Sequence, residues 1–171
     1  GVYSKKERGP VADNAAYDLF GLYSEVDAEL FEKLRLIAGL RWTLAHLNAD
    51  KVDFDPTDAF RFAGEGRTYN AVAGSLRARF EAIEGLAFVA GLSQGFRAPN
   101  LDDVTAFREV LSKSVDLPAP GLDPERSLTA ETGILWDMEY ASGSAFVYYT
   151  WLEDLIGRIP TGNKRQGLSE F

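Results

Sequence analysis

The chain has 171 residues and a formal net charge of −8, with 26 acidic residues against 18 basic ones and no cysteine. That length suffices for one ordinary domain. The acidic balance lacks the positive footprint that a phosphate backbone requires, which argues against nucleic acid, and the missing thiols exclude disulfides and thiolate metal sites.

No window approaches the ~18 consecutive apolar residues of a membrane helix. No charged-then-apolar signal sequence follows Gly1, and the chain breaks off abruptly at Ser169-Glu170-Phe171. The expectation is a piece from the middle of a longer protein, with a trimmed soluble domain as the alternative.

In chain order, Gly1 to Asn14 is polar and reads as the end of a loop. Ala15–Glu29, with Tyr17, Leu19, Phe20, Leu22, Tyr23 and Val26, reads as a strand, although its Ala, Leu and Glu content makes a helix a competitor. Leu34–Leu44 alternates: Leu34, Leu36, Ala38, Leu40, Trp42 and Leu44 share one face, and Arg35, Ile37, Gly39, Arg41 and Thr43 the other. Period two is the strand signature. Lys51–Thr68 is a loop by composition.

Tyr69–Phe80 alternates again, setting Val72, Gly74, Leu76, Ala78 and Phe80 against Ala73, Ser75, Arg77 and Arg79. A short turn near Ile83–Gly85 leads into a strand over Leu86–Arg97. A long polar excursion, Ala98–Ser127, precedes a strand over Leu128–Tyr140 whose polar side carries Glu131 and Asp137. A tight turn at Ser142–Gly143 then leads into Ser144–Ile156, which is aromatic on both faces and cannot be assigned sides.

The pattern is therefore about six strands in three hairpins. Short connections lie near Phe31–Lys33, Ile83–Gly85 and Ser142–Gly143, and long ones at Lys51–Thr68, Ala98–Ser127 and from Gly162 onward. Short turns at one end and long loops at the other match an outer-membrane barrel. In lipid a spanning sheet must close, which turns its apolar face outward and its polar face inward. Arg35, Arg41, Arg77, Arg79, Arg97, Glu131 and Asp137 are too many charges for a small soluble core, where each would cost several kcal/mol in desolvation; a soluble sandwich could instead turn that face to water. Aromatics near strand ends (Tyr17, Tyr69, Phe96, Tyr140, Trp151) fit either interfacial girdles or plain sheet packing. The fold class expected is all-β: an antiparallel up-and-down transmembrane β-barrel, present in part, with Arg35, Arg41, Arg77, Arg79, Glu131 and Asp137 facing its lumen.

Chemistry-bearing constellations are weak. Asp53, Asp55 and Asp58 fail the calcium-loop spacing, because Asp58 and Gly64 stand where Gly and Glu are needed. His46 is the only histidine, so it supports neither a metal site nor a Ser/His/Asp set. Glu153 and Asp154 are adjacent and would face opposite sides of a strand. Lys164 and Arg165 read as loop surface. No catalytic residue, metal or cofactor is expected.

Gly95-Phe96-Arg97-Ala98-Pro99-Asn100, then Leu122-Asp123-Pro124-Glu125-Arg126-Ser127, then Ala130-Glu131-Thr132-Gly133 stand in that order. They resemble the late barrel strands of TonB-dependent outer-membrane receptors. The match is good over Leu86–Ile156 and loose over Ala15–Phe80; Asp123 replaces the usual Lys, and the Tyr expected before Glu131 is absent. The role read for the motif is architectural. Pro99 lacks a donor and ends ladder pairing, Gly95 permits a bend or bulge, Pro124 pre-sets re-entry, and Glu125 can pair with Arg97 or Arg126.

The resemblance implies a ~22-stranded barrel filled by an N-terminal plug, with plug and remaining strands outside this chain. It implies an outer-membrane transporter, not an enzyme, taking up a ferric siderophore, cobalamin, haem or oligosaccharide. The partners implied are outer-membrane lipid, the ligand at external loops, and the TonB complex through an N-terminal part. Two other readings stay open: a soluble β-sheet module binding a carbohydrate or protein partner, and a membrane-barrel enzyme, for which no nucleophile–base pair is visible.

Overall fold

The computed structural model describes residues 14–49, 52–53, 61–62, 65–105, 108–110, 114–116, 119, 121–165 and 168–170, with side chains at 14–49, 66–105, 119 and 121–163. Six long strands make one antiparallel sheet: β1 (Ala16–Glu29), β2 (Leu34–Ala49), β3 (Glu65–Ile83), β4 (Leu86–Arg97), β5 (Glu125–Met138) and β6 (Ala141–Glu153). Each pairs with its sequence neighbour, so the sheet is up-and-down and open between β1 and β6. Among the described residues one five-residue helix, Leu101–Thr105, interrupts the β structure. Short strand pieces in the long connections form a two-stranded and a four-stranded sheet. Among the described residues no helix is long and apolar enough to cross a membrane.

Register turns the alternation into two faces. One row crosses all six strands as Val26, Ala38, Leu76, Leu92, Ala130 and Tyr149; the next crosses them as Asp27, Ile37, Arg77, Gly91, Glu131 and Tyr148. A slip of one residue at any hairpin would mix these rows. The pairing also assigns the aromatic strand: Ala145, Val147, Tyr149 and Trp151 join the apolar face, and Phe146, Tyr148 and Thr150 the polar one.

Several expected boundaries shift. β2 runs on to Ala49, and β3 starts at Glu65 within the expected loop, because the two strands pair without interruption from Leu34↔Phe80 to Ala49↔Glu65. β5 likewise starts at Glu125, inside the expected excursion. The third short turn falls at Glu139 and Tyr140, not at Ser142–Gly143. Those two residues pair with Asp137 and Trp136 inside the hairpin. Gly143 is small there because a Cβ would lie 2.9 Å from Cε2 of the Trp136 indole. Tyr17, Tyr69 and Phe96 are not girdle residues. Tyr69 is buried with Ala45 and Ala98, and Tyr17 and Phe96 pack against that cluster. Residues 1–13, Asp55 and Asp58 lie outside the described residues, as do the side chains of Asp53, Lys164 and Arg165.

At the first short turn Phe31 adopts φ +84° and is 85% exposed. A bulky residue there is strained by roughly 1–2 kcal/mol, and this one has little packing to lose. Phe31→Gly relieves the strain at a cost of roughly 0.5–1 kcal/mol in unfolded-chain entropy. The expected result is a small rise in the temperature at which the folded form is lost on a gel; a fall would show that Phe31 holds a partner.

Candidate functional site

The excursion after β4 is fastened to the sheet at its root. Arg97, the last residue of β4, reaches Asp103 Oδ2 with Nη2 at 2.7 Å and Glu125 Oε1 with Nη1 at 3.3 Å. Glu125 is also its cross-strand partner on β5. Asn100 and Asp103 bond reciprocally: the Asn100 N–H donates to Asp103 Oδ2, and the Asp103 N–H donates to Asn100 Oδ1, each at 2.9 Å. This is the logic of a capping box, with Asn as N-cap and an acid at the third helical position. Glu125 Oε1 further accepts from the Ile156 N–H at 2.8 Å, so one carboxylate ties the return strand, β4 and the chain beyond β6 together.

Behind this clasp lies the main buried cluster. Val104 of the helix packs with Leu47 and Ala49 of β2, and Ala15, Tyr17, Leu101 and Leu122 surround them. Leu47 and Val104 are fully buried, and so is Pro99. The Tyr69 hydroxyl and Arg67 Nη1 both donate to the Leu122 carbonyl, at 3.3 and 3.2 Å, holding the returning chain. Leu101, Val104 and Leu122 thus cover the polar side of the sheet at its long-loop end.

Toward the short turns that face stays open as a groove of about 440 Å³ lined by Arg35, Arg77, Arg79, Glu131, Val89 and Phe146, among others. Arg35 and Arg79 are direct cross-strand neighbours, an unfavourable like-charge pairing. Each is drawn to an acid: Arg35 to Asp27 through two hydrogen bonds, and Arg79 to Glu81 at 3.1 Å. Arg77 reaches Glu131 at 2.7 Å across the whole width of β4. That span is open because Gly91 stands between them, and a Cβ there would lie 2.9 Å from Glu131 Oε1. Gly91→Val therefore displaces the Glu131 carboxylate. The pair is partly exposed, so the expected loss is ~0.5–1 kcal/mol. A double-mutant cycle on Arg77 and Glu131 checks this: its coupling energy should vanish in the Gly91→Val background.

Of the residues singled out from sequence, Arg97, Asn100 and Glu125 converge on the clasp. Ala98 and Pro99 are buried beneath it, Phe96 packs on the inner cluster, and Pro124 directly precedes the first paired residue of β5. Gly95 carries no bulge toward β5: the β4–β5 ladder passes through Gly95↔Ser127 without a shift, and what stops just before it is the β3–β4 ladder, at Ser75↔Ser93. Arg35, Arg77, Arg79 and Glu131 gather in the groove. Arg41 lies apart, with its Nε bonded to Thr43 Oγ1 at 3.2 Å. Asp137 sits at the short-turn end, where its N–H donates to the Gly85 carbonyl at 2.7 Å. Sequence reasoning missed Asp103, Asp27, Glu81 and Gly91. The spacing Asn100–Asp103 was a readable capping signal; the other three required the register. His46 Nδ1 lies 2.9 Å from Thr68 Oγ1.

A family model described as TonB dependent receptor-like, beta-barrel matches residues 3–169. No curated protein sequence matches the chain. Among solved structures, the chain resembles a double mutant of the Serratia marcescens hemophore receptor HasR in complex with its hemophore HasA and heme, with 17% identity, TM-score 0.69, 80% of this chain and 25% of that one covered. It also resembles the copper transporter OprC, with 21% identity, TM-score 0.65, 82% and 22% covered. A third is the FrpB iron transporter from Neisseria meningitidis, with 16% identity, TM-score 0.62, 91% and 21% covered. At these identities the likeness is one of fold, and the chain spans no more than a quarter of each of those structures.

Proposed function

Because the chain belongs to the TonB-dependent receptor-like β-barrel family, we propose that it forms part of the wall of an outer-membrane transporter that takes up a scarce ligand with energy from the TonB system. The observation that carries this reading is the apolar face. Phe20, Leu22, Val26, Leu40, Val72, Leu76, Phe88, Leu92, Val147 and Tyr149 are all about half exposed or more, and all lie on the side away from Arg35, Arg77 and Arg79. Removing such a side chain from water is worth ~1.5–3 kcal/mol. A continuous face of them in water is an aggregation site, whereas lipid covers it fully. The same face disfavours a soluble carbohydrate- or protein-binding module.

In this reading the short turns are periplasmic, the excursion after β4 is an external loop folded over the lumen mouth, and the arginine groove faces the lumen. The plug and the remaining strands belong to parts of the protein beyond this chain, in keeping with its small share of each similar structure. The ligand class is a ferric siderophore, cobalamin, haem or an oligosaccharide, chosen by loops and plug together, and the protein is a transporter, not an enzyme.

Fractionation of cells expressing the full-length protein tests the reading. It should sediment with the outer membrane, require detergent for extraction and run faster on a gel before heating than after. Uptake of its ligand should be lost in cells lacking TonB. Recovery as a soluble protein without detergent would overturn the proposal.

A further inference from the structure

On the polar face Arg35, Arg77, Arg79 and Arg97 each hold a carboxylate, and Arg67 holds the Leu122 carbonyl. Arg41 differs. Its Nε donates to Thr43 Oγ1 at 3.2 Å, and the guanidinium makes no ion pair among the described residues. Arg41 is the eighth residue of β2, inside the ~9–11 residues that cross a bilayer. A charge that faces a lumen at that depth, with no partner in its own wall, marks a ligand path. Arginine is the residue that anion-selective pores place there.

The guanidinium is held in one direction. With Nε spent on Thr43, the N–H groups of Nη1 and Nη2 remain as a fork for an oxyanion. Nη2 lies over Gly21, 2.9 Å from where a Cβ would stand, and Gly21 pairs with Thr43 one pleat nearer the long loops. Glu25 lies one pleat the other way, opposite Gly39, so Arg41 leans away from the nearest polar-face acid of β1. In its own row Arg41 stands between Tyr23 on β1 and Ala73 on β3. Tyr23 is 76% exposed, and its hydroxyl makes no hydrogen bond among the described residues. Ala73 is too short to cover the fork. Resting on the transporter reading above, we propose that Arg41 and Tyr23 form an oxyanion seat in the lumen wall, which takes a carboxylate or phosphate group of the ligand during its passage. The anion accepts from both Nη groups and from the Tyr23 hydroxyl. The seat lies between the buried cluster of Tyr69 and Ala98 on the long-loop side and the ion-paired groove on the short-turn side.

The test uses the full-length protein in outer-membrane vesicles, with Ala73→Cys as a reporter beside Arg41; the chain has no cysteine of its own. Two methanethiosulfonate reagents, one carrying a sulfonate and one a trimethylammonium group, label the reporter with and without Arg41→Gln. The ratio of anionic to cationic labelling should fall roughly fivefold when Arg41 is lost. Inorganic phosphate or succinate should protect the thiol beside Arg41 and leave it unprotected beside the glutamine. Tyr23→Phe, which removes only the hydroxyl, should reduce that protection while the heat-dependent gel mobility stays as in the parent. An unchanged labelling ratio, or protection that survives Arg41→Gln, would overturn the proposal. So would a reporter closed to both reagents, since the plug then covers Arg41. A protein absent from the outer-membrane fraction would instead sink the transporter reading itself, and this seat with it.

Discussion

Arg97→Glu should detach the excursion after β4 from the sheet. Arg97 stands between Asp103 and Glu125, whose side chains are only 16% and 19% exposed. Reversing its charge brings three carboxylates together at the helix cap and at the start of β5. Hydrogen bonds to charged groups contribute ~1.5–3 kcal/mol each, and stranding a half-buried partner costs more than the bond itself. Arg97 is nearly half solvated, so the net loss is discounted to about 3 kcal/mol. The cluster of Leu47, Ala49, Val104 and Leu122 would then open to water. In the full-length protein, the measurement is the fraction of fast-migrating folded band, together with protease cleavage between residues 98 and 124. Adding Glu125→Arg should recover only part of the loss. It restores one opposite-charge pair but leaves Asp103 facing a carboxylate and removes the acceptor for the Ile156 N–H. Full rescue, or no coupling at all, would contradict the three-way clasp.

The second large effect is expected at the middle short turn. Gly85 has φ +74°, and a Cβ on it would drive into the carbonyl of Asp137, whose own N–H bonds the Gly85 oxygen. Gly85→Val combines a β-branched side chain in the left-handed region, roughly 1–2 kcal/mol, with a clash against backbone that belongs to the next hairpin and cannot rotate away. The expected loss is about 3 kcal/mol or more, read as a lower denaturant midpoint for the refolded barrel. Gly162→Val supplies the comparison. Its φ is +82°, but nothing lies within 4 Å of the added atom, so only the strain should register. Equal effects at the two positions would mean that contact with Asp137 plays no part.

Much of the fold was legible because its elements carry their own signals. The faces of β2 and β3 follow from Leu34–Leu44 and Tyr69–Phe80 alone, and the turn at Glu84-Gly85 follows from composition. The Ser142–Gly143 turn was misread because a glycine that makes room for an indole looks, in sequence, like a glycine that bends the chain. The same holds for Glu65–Thr68 and Glu125–Ser127: polar residues at strand ends are composed like loops, and only an uninterrupted ladder with a neighbour makes them strand. Tyr17, Tyr69 and Phe96 were legible as strand-end aromatics. Their inward packing depends on an excursion that returns across the polar face from far along the chain.

The sequence by itself determined which residues share a face, since the pleat alternates with period two whatever the strand's neighbours are. It also determined the family, since the Gly95–Asn100 and Leu122–Ser127 motifs stand in order. Tertiary structure alone decided which row each residue joins. That Arg77 meets Glu131 over Gly91, that Arg97 is shared by Asp103 and Glu125, and that β3 and β4 part above Ser75 all depend on register and on chain returning from a distance. The energies that select a register are sums over whole strand pairs, so no local window of sequence contains them.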